Sequence, residues 1–166
     1  MPHFKMKLFL AATLFGASFA SPVSAQQQRQ DGLWQTRCAG PSRNLEALVC
    51  EATQSIRVKE SGQLLFKVDI VFPAQKEAPI LQMQAPLGFY LPGKVKLAVD
   101  GTALGELDVG TCDQRGCFLN IEATPEMIDA MKAGANLEID FAPSAERRQK
   151  INVPLTGFTR AMEAIQ

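Results

Sequence analysis

Histidine is almost missing from this sequence: among 166 residues the only one is His3. Hydrolytic triads and their relatives use imidazole as the proton shuttle, and zinc sites draw mainly on His and Cys. His3 itself falls in a segment with the form of a cleaved export signal. Met1 to Lys7 carries Lys5 and Lys7 and no acid, Leu8 to Ala20 is a short apolar run, and Val23-Ser24-Ala25 puts small residues where a signal peptidase cuts. Residues 1–25 are therefore expected to be a signal peptide and 26–166 a single β-rich domain with no imidazole. Long apolar runs are absent as well. A membrane-spanning helix needs ~20 such residues, so no integral membrane segment is expected after signal cleavage.

An excess of one charge is also lacking. The whole chain has 17 basic and 17 acidic residues, and without Lys5 and Lys7 the balance is 15 to 17. Nucleic-acid binding needs a clear surplus of Lys and Arg, so no nucleic-acid partner is expected. The sequence contains no G-x-G-x-x-G, phosphate loop or calcium loop, and no Ser-x-x-Lys nucleophile signature. Glu106 with Asp108, and Glu138 with Asp140, each share a strand face and have the residue types of a glycosidase carboxylate pair. Neighbouring outward acids on a strand are ordinarily solvent-facing decoration. The sequence thus points to no catalytic residue, no cofactor and no metal site, and to a protein that is not an enzyme.

What is present is cysteine in an even number. Cys38, Cys50, Cys112 and Cys117 all follow the signal, and in an exported chain this indicates disulfides. Three connectivities are possible; pairing by proximity gives Cys38–Cys50 and Cys112–Cys117. Four-cysteine zinc would favour paired C-x-x-C knuckles, and a redox site would favour C-x-x-C opening a helix; neither spacing occurs.

Period-two alternation dominates from Leu33 onward. Trp34, Thr36 and Cys38 share one face of a first strand, and Leu48, Cys50, Ala52, Ile56 and Val58 one face of the next. Cys38 and Cys50 therefore fall on inward faces, which would put their bridge in the core. Glu60-Ser61-Gly62 is a turn, and Leu64, Phe66, Val68, Ile70 and Phe72 form the most apolar face. Leu65 and Val71 on its other side suggest a central strand. Asp100-Gly101 between alternating segments is a hairpin signal, because both central residues need positive φ. The return strand would run through Ala103, Gly105, Leu107 and Val109, and a second hairpin would join Cys112 to Cys117. Thr124 and Pro125 open a helix with Met127, Ile128 and Met131 as its apolar stripe and Gly134 at its end. Strand spacing resumes at Leu137, Ile139 and Phe141 and again at Ile151 and Val153. Phe158, Ala161, Met162 and Ile165 have helical spacing. Seven to nine strands with one or two short helices predict a mainly β, antiparallel β-sandwich or partly open barrel.

Two segments have the make-up of recognition sites. The stretch from Ala85 to Gly93 is apolar and rich in Pro and Gly, with Leu87, Phe89, Tyr90 and Leu91 as candidate contact residues; the plainer reading is a chain crossing that plugs one end of the sandwich. Glu146-Arg147-Arg148-Gln149-Lys150 is a basic cluster expected in a loop between two strands.

In order, Trp34, Cys38 and Cys50, Pro86-Leu87-Gly88 with Leu91-Pro92-Gly93, Val99-Asp100-Gly101, Cys112 with Gly116-Cys117, and Pro154-Leu155-Thr156-Gly157-Phe158 resemble the invasion-associated locus B family. The likeness runs from about Leu33 to Ala164. It implies a bacterial envelope or secreted protein, periplasmic or released, with a two-bridge framework and an interaction role. The expected partner is an unidentified envelope or host-surface protein, with host-cell contact or invasion as a possible setting. The family supplies no catalytic residues to carry over. A different reading is a periplasmic carrier or sensor for a small apolar ligand, lined by Met83, Phe89 and Leu91.

Overall fold

The computed structural model describes residues 33–41, 47–74 and 78–166. The expected signal segment lies outside them. Ten strands form two antiparallel sheets packed face to face, with open edges and not a closed barrel. The larger sheet contains β1 (Gln35–Ala39), β2 (Val49–Arg57), β3 (Leu64–Phe72), β4 (Ile80–Ala85), β7 (Val109–Asp113) and β8 (Gly116–Glu122), in the order β1-β2-β3-β4-β8-β7. The smaller contains β5 (Val95–Val99), β6 (Thr102–Leu107), β9 (Asn136–Ser144) and β10 (Arg147–Pro154), in the order β10-β9-β5-β6. Among the described residues there are also two short α-helices, α1 (Pro125–Ala133) and α2 (Phe158–Glu163).

The alternation seen in the sequence sets which faces meet. Phe66, Val68 and Ile70 of β3, Leu81 and Met83 of β4 and Leu119 of β8 are fully buried, as are Val95, Leu137, Ile139 and Val153 of the smaller sheet. Each such side chain contributes roughly 1.5–3 kcal/mol relative to exposure. Phe66 and Phe141 meet edge to face across the two sheets, with ring centroids 5.1 Å apart. β3 is central, flanked by β2 and β4. One inward position departs from the pattern: Gln54 of β2 is buried among these residues, and its Oε1 has no partner among the described residues.

The larger sheet is wider than the smaller, and the helices cover part of the excess. Thr124 Oγ1 accepts from the Met127 amide and caps α1, whose Met127, Ile128 and Met131 point into the core. α2 buries Phe158, Ala161 and Met162, and Phe158 packs edge-on against Trp34 at 4.9 Å. The Trp34 indole donates to the Pro154 carbonyl at 3.1 Å, tying the first residues of the domain to its last strand.

Four expectations need correction. Among the described residues the strands number ten, because β4 over Ile80–Ala85 adds to those expected from the sequence and the return strand expected through residues 103–109 is divided. β6 ends at Leu107, the chain turns at Asp108, and β7 joins the other sheet. A bulge also shifts the register between Leu97 and Ala98, so Leu104 packs on the core and Ala103 is exposed. The first strand is not inward-facing as a whole. Trp34 is buried, but every residue of β1 is exposed, because β1 is the sheet's edge and extends beyond the smaller sheet. The Cys38–Cys50 bridge therefore lies at the margin of the core, with Cys50 half-buried against it. Finally, the basic cluster is not a loop: Arg147 to Lys150 begin β10.

Both disulfides form as proximity pairing predicts, and no described cysteine is free. Each joins directly opposed residues of neighbouring strands, Cys38 with Cys50 and Cys112 with Cys117. β1 and β7 are the two edges of the larger sheet, so each edge strand is covalently fixed to its neighbour. An edge free to peel presents unpaired backbone groups to other chains.

The Asp100-Gly101 hairpin adopts positive φ at both residues, 46° and 87°. Asp100 does more than turn the chain. Its carboxylate accepts from the Ala135 amide at 2.7 Å and the Asn136 amide at 3.1 Å, fixing the passage from α1 into β9. Gly134 allows this close approach, since a Cβ there would lie 2.2 Å from Val99 Cγ1.

We expect replacing Cys38 and Cys50 by Ser to cost roughly 3 kcal/mol, and replacing Cys112 and Cys117 roughly 2 kcal/mol, because the first bridge closes the longer loop. Thermal melts of both variants, and of the parent under reductant, check this; unchanged melting would contradict it. Asp100→Ala should cost about 1–3 kcal/mol by leaving two amides without their acceptor, read by urea unfolding.

Candidate functional site

The segment from Ala85 to Lys94 carries the chain from the larger sheet to the smaller, and it is held firmly. Gly88 takes a left-handed φ of 91°, which turns Phe89 inward. Phe89 is 8% exposed and packs edge-on against Phe141 with centroids 6.5 Å apart. The Tyr90 amide donates to the Ala142 carbonyl at 2.7 Å. Leu91–Gly93 then forms a single 3-10 turn with Pro92 in it. Gly93 lies so close to β9 that a Cβ would sit 2.7 Å from Ala142 Cβ.

Arg148 closes the arrangement. Its guanidinium donates to the Gly93 carbonyl at 2.8 Å, to Asp140 Oδ1 at 2.9 Å and to the Asp140 carbonyl at 2.9 Å. With its backbone fixed at Tyr90 and Gly93, the loop presents Leu87, Tyr90 and Leu91 to solvent at 56%, 40% and 46% exposure. Three of the four candidate contact residues are thus displayed together on one short loop. Phe89 is the exception and belongs to the core: the strand-like crossing needs one apolar side chain to plug the sandwich end, and Phe89 supplies it. The sequence alone did not identify Arg148 as the clasp. No period-two alternation marks Glu146 to Lys150 as a strand, since all five residues are polar.

The hairpin at the same end carries its own ion pair. Arg115 donates from its guanidinium to Asp113 Oδ2 at 2.7 and 3.1 Å and from its backbone amide to Asp113 Oδ1 at 2.8 Å, and lies 5.1 Å from the centre of the Phe118 ring. The hydrogen bonds from Arg115 hold the Asp113 carboxyl below the usual carboxylate range.

The carboxylate pairs are each matched to a cation on the adjoining strand. Glu106 pairs with Lys96 at 3.3 Å, Asp108 with Lys94 at 3.4 Å, Glu138 with Lys150 at 2.7 Å and Asp140 with Arg148 at 2.9 Å. The hydrogen bond to Glu138 raises the Lys150 ammonium above its ordinary pKa. Acids committed to cross-strand cations in this way stabilise strand pairing modestly. On the outer face of β3, Asp69 is buried and accepts from Thr53 at 2.5 Å and Lys67 at 2.8 Å. Among the described residues no three His, Cys, Asp or Glu side chains converge as metal ligands. No described helix is long and apolar enough to cross a membrane.

The residues proposed to line a ligand pocket are divided between interior and surface. Met83 is wholly enclosed, Phe89 is packed on Phe141, and Leu91 faces solvent.

Residues 34–166 match the family described as Invasion associated locus B (IalB) protein. The chain belongs to this family. A crystal structure of invasion associated protein b from Bartonella henselae has a similar fold, with a TM-score of 0.65 at 24% identity, covering 80% of this chain and 90% of that one. No curated protein matches the chain. The match places all four cysteines, the Asp100-Gly101 turn and the Leu87–Leu91 loop of this IalB-family chain inside the family's span.

We expect Arg148→Ala to speed amide exchange at Tyr90 and Gly93 while leaving β3 amides protected, because the variant removes the polar clasp but not the Phe89 plug. Equal protection of the loop in both proteins would contradict the role assigned to Arg148.

Proposed function

We propose that this IalB-family chain is an exported, non-enzymatic envelope or secreted protein that works by binding another protein through Leu87, Tyr90 and Leu91. The observation that carries the reading is the fixed backbone beneath those three exposed side chains. Apolar contact residues contribute most when they are held in place before binding, because less conformational entropy is lost. Two disulfides and family membership support export, as does the signal-like form of residues 1–25. The pairing of the surface acids with lysines and arginines, and the absence of histidine after His3, support contact in place of catalysis. The Bartonella henselae protein of similar fold is named invasion associated, and from it the setting of host-cell contact is carried over as part of this proposal.

Capture from fractionated envelope extracts and from host-membrane extracts tests the reading, with Leu87→Ser, Tyr90→Ala and Leu91→Ser as surface variants. A specific partner should be recovered by the parent and lost with each variant, while melting temperatures stay unchanged. Phe89→Ala serves as a fold control and should cost roughly 3–5 kcal/mol. A partner retained equally by all three surface variants would overturn the assignment of the loop.

A further inference from the structure

A second feature lies at the far end of β4 from the contact loop and is independent of it. Where β3 ends, β4 begins and α1 starts, the surface opens into a cleft of about 340 Å³. Ala123 and Ile128 form its buried floor, and Phe72 and Pro79 wall it. The Ala123 amide donates to the Pro79 carbonyl at 2.8 Å, so the strand ends that frame the cleft are fixed to each other. α1 supplies one continuous side: Pro125, Ile128, Asp129 and Lys132 follow at helical spacing, a stripe about 10 Å long. The volume falls at the lower end of small-ligand pockets, about 300–1,000 Å³, and apolar walls with a few rim polar groups are their usual make-up.

Asp129 and Lys132 supply the charged side chains of the rim, beside the polar Gln166, and decide what would fit. Among the described residues, neither the Asp129 nor the Lys132 side chain has an ion-pair or hydrogen-bond partner. They are not equivalent. Asp129 is exposed, where water screens it, and Lys132 is half-buried. A lysine stem lies along apolar surface while its ammonium stays at the edge, where it can meet an anionic head group. The cleft therefore offers an apolar wall ending in one available cation, with a weaker, solvent-screened anion beside it.

We infer that this cleft binds an amphipathic monocarboxylate, its hydrocarbon body lying on Phe72, Pro79 and Ile128 and its carboxylate meeting the Lys132 ammonium. The acid is bound and released unchanged, so no bond is made or broken. The neighbouring Asp129 sets an upper bound on affinity, since its charge opposes the ligand's.

The two rim charges give the test opposite signs. The full chain is titrated with decanoate and with decanol, which share a hydrocarbon body and differ in head-group charge, and binding is followed by amide chemical shifts and calorimetry. Shifts should centre on Phe72, Ala123 and Ile128. Decanoate should bind about fivefold tighter than decanol, the size expected of one partly exposed ion pair. Lys132→Gln should erase that preference while leaving decanol binding unchanged. Asp129→Asn should tighten decanoate binding about twofold and leave decanol alone. Both substitutions lie on the helix surface, and an unchanged melt confirms each fold. Shifts centred elsewhere, no saturable binding of either probe, or a preference for decanoate that survives Lys132→Gln would overturn the inference.

Discussion

The ring of Phe141 is the contact on which both the sandwich and its display loop rest. It meets Phe66 of β3 edge to face, which joins the two sheets, and it meets Phe89, which anchors the crossing between them. Phe89 ties the loop to the core, because it shares a partner with the central strand. Polar groups then refine what the apolar contact sets. The Tyr90 amide and the three hydrogen bonds of Arg148 fix the direction of the backbone. An apolar anchor supplies position without orientation, since burial is non-directional; hydrogen bonds supply orientation.

The larger sheet poses a different problem. Its edges extend beyond the cover of the smaller sheet, and apolar packing cannot fix strands that have nothing above them. β1 illustrates this, being exposed at every residue. The disulfides act at these two places, one at each edge. A covalent cross-link restricts the unfolded chain whether or not it is buried, so it suits positions where a hydrophobic contact would be weak. Trp34, packed on Phe158 and bonded to the Pro154 carbonyl, holds the start of β1 in the same sense.

The contact loop and the apolar cleft sit at opposite ends of β4, with the most thoroughly buried part of the domain between them. That separation lets each surface be altered without disturbing the other. The outer faces are occupied by cation–carboxylate pairs across strands, each of small energy, which keep the sheets soluble and their register consistent.

By itself the sequence determined the faces of β2, β3, β5, β8, β9 and β10, the hairpin at Asp100-Gly101, the capped α1, the C-terminal helix, the mainly β class and the pairing of nearby cysteines. All are local: they follow from period-two or helical spacing, from backbone preferences at single residues, or from short loop closure. Tertiary structure decided the rest. Whether a strand lies at an edge depends on what packs above it, and this is why Thr36 and Cys38 are exposed despite their inward register. The division of residues 102–113 between two sheets depends on contacts distant in sequence, since β6 is paired to β5, which lies against β9, whereas β7 is paired to β8, which lies against β4. Phe89 and Leu87 have the same apolar character and differ only in which one faces Phe141. Arg148 became a clasp because β10 brought it beside Gly93. The cleft beside α1 exists only because residues near 72, 79 and 128 converge, and no local pattern in a chain records a shape enclosed by three separate segments.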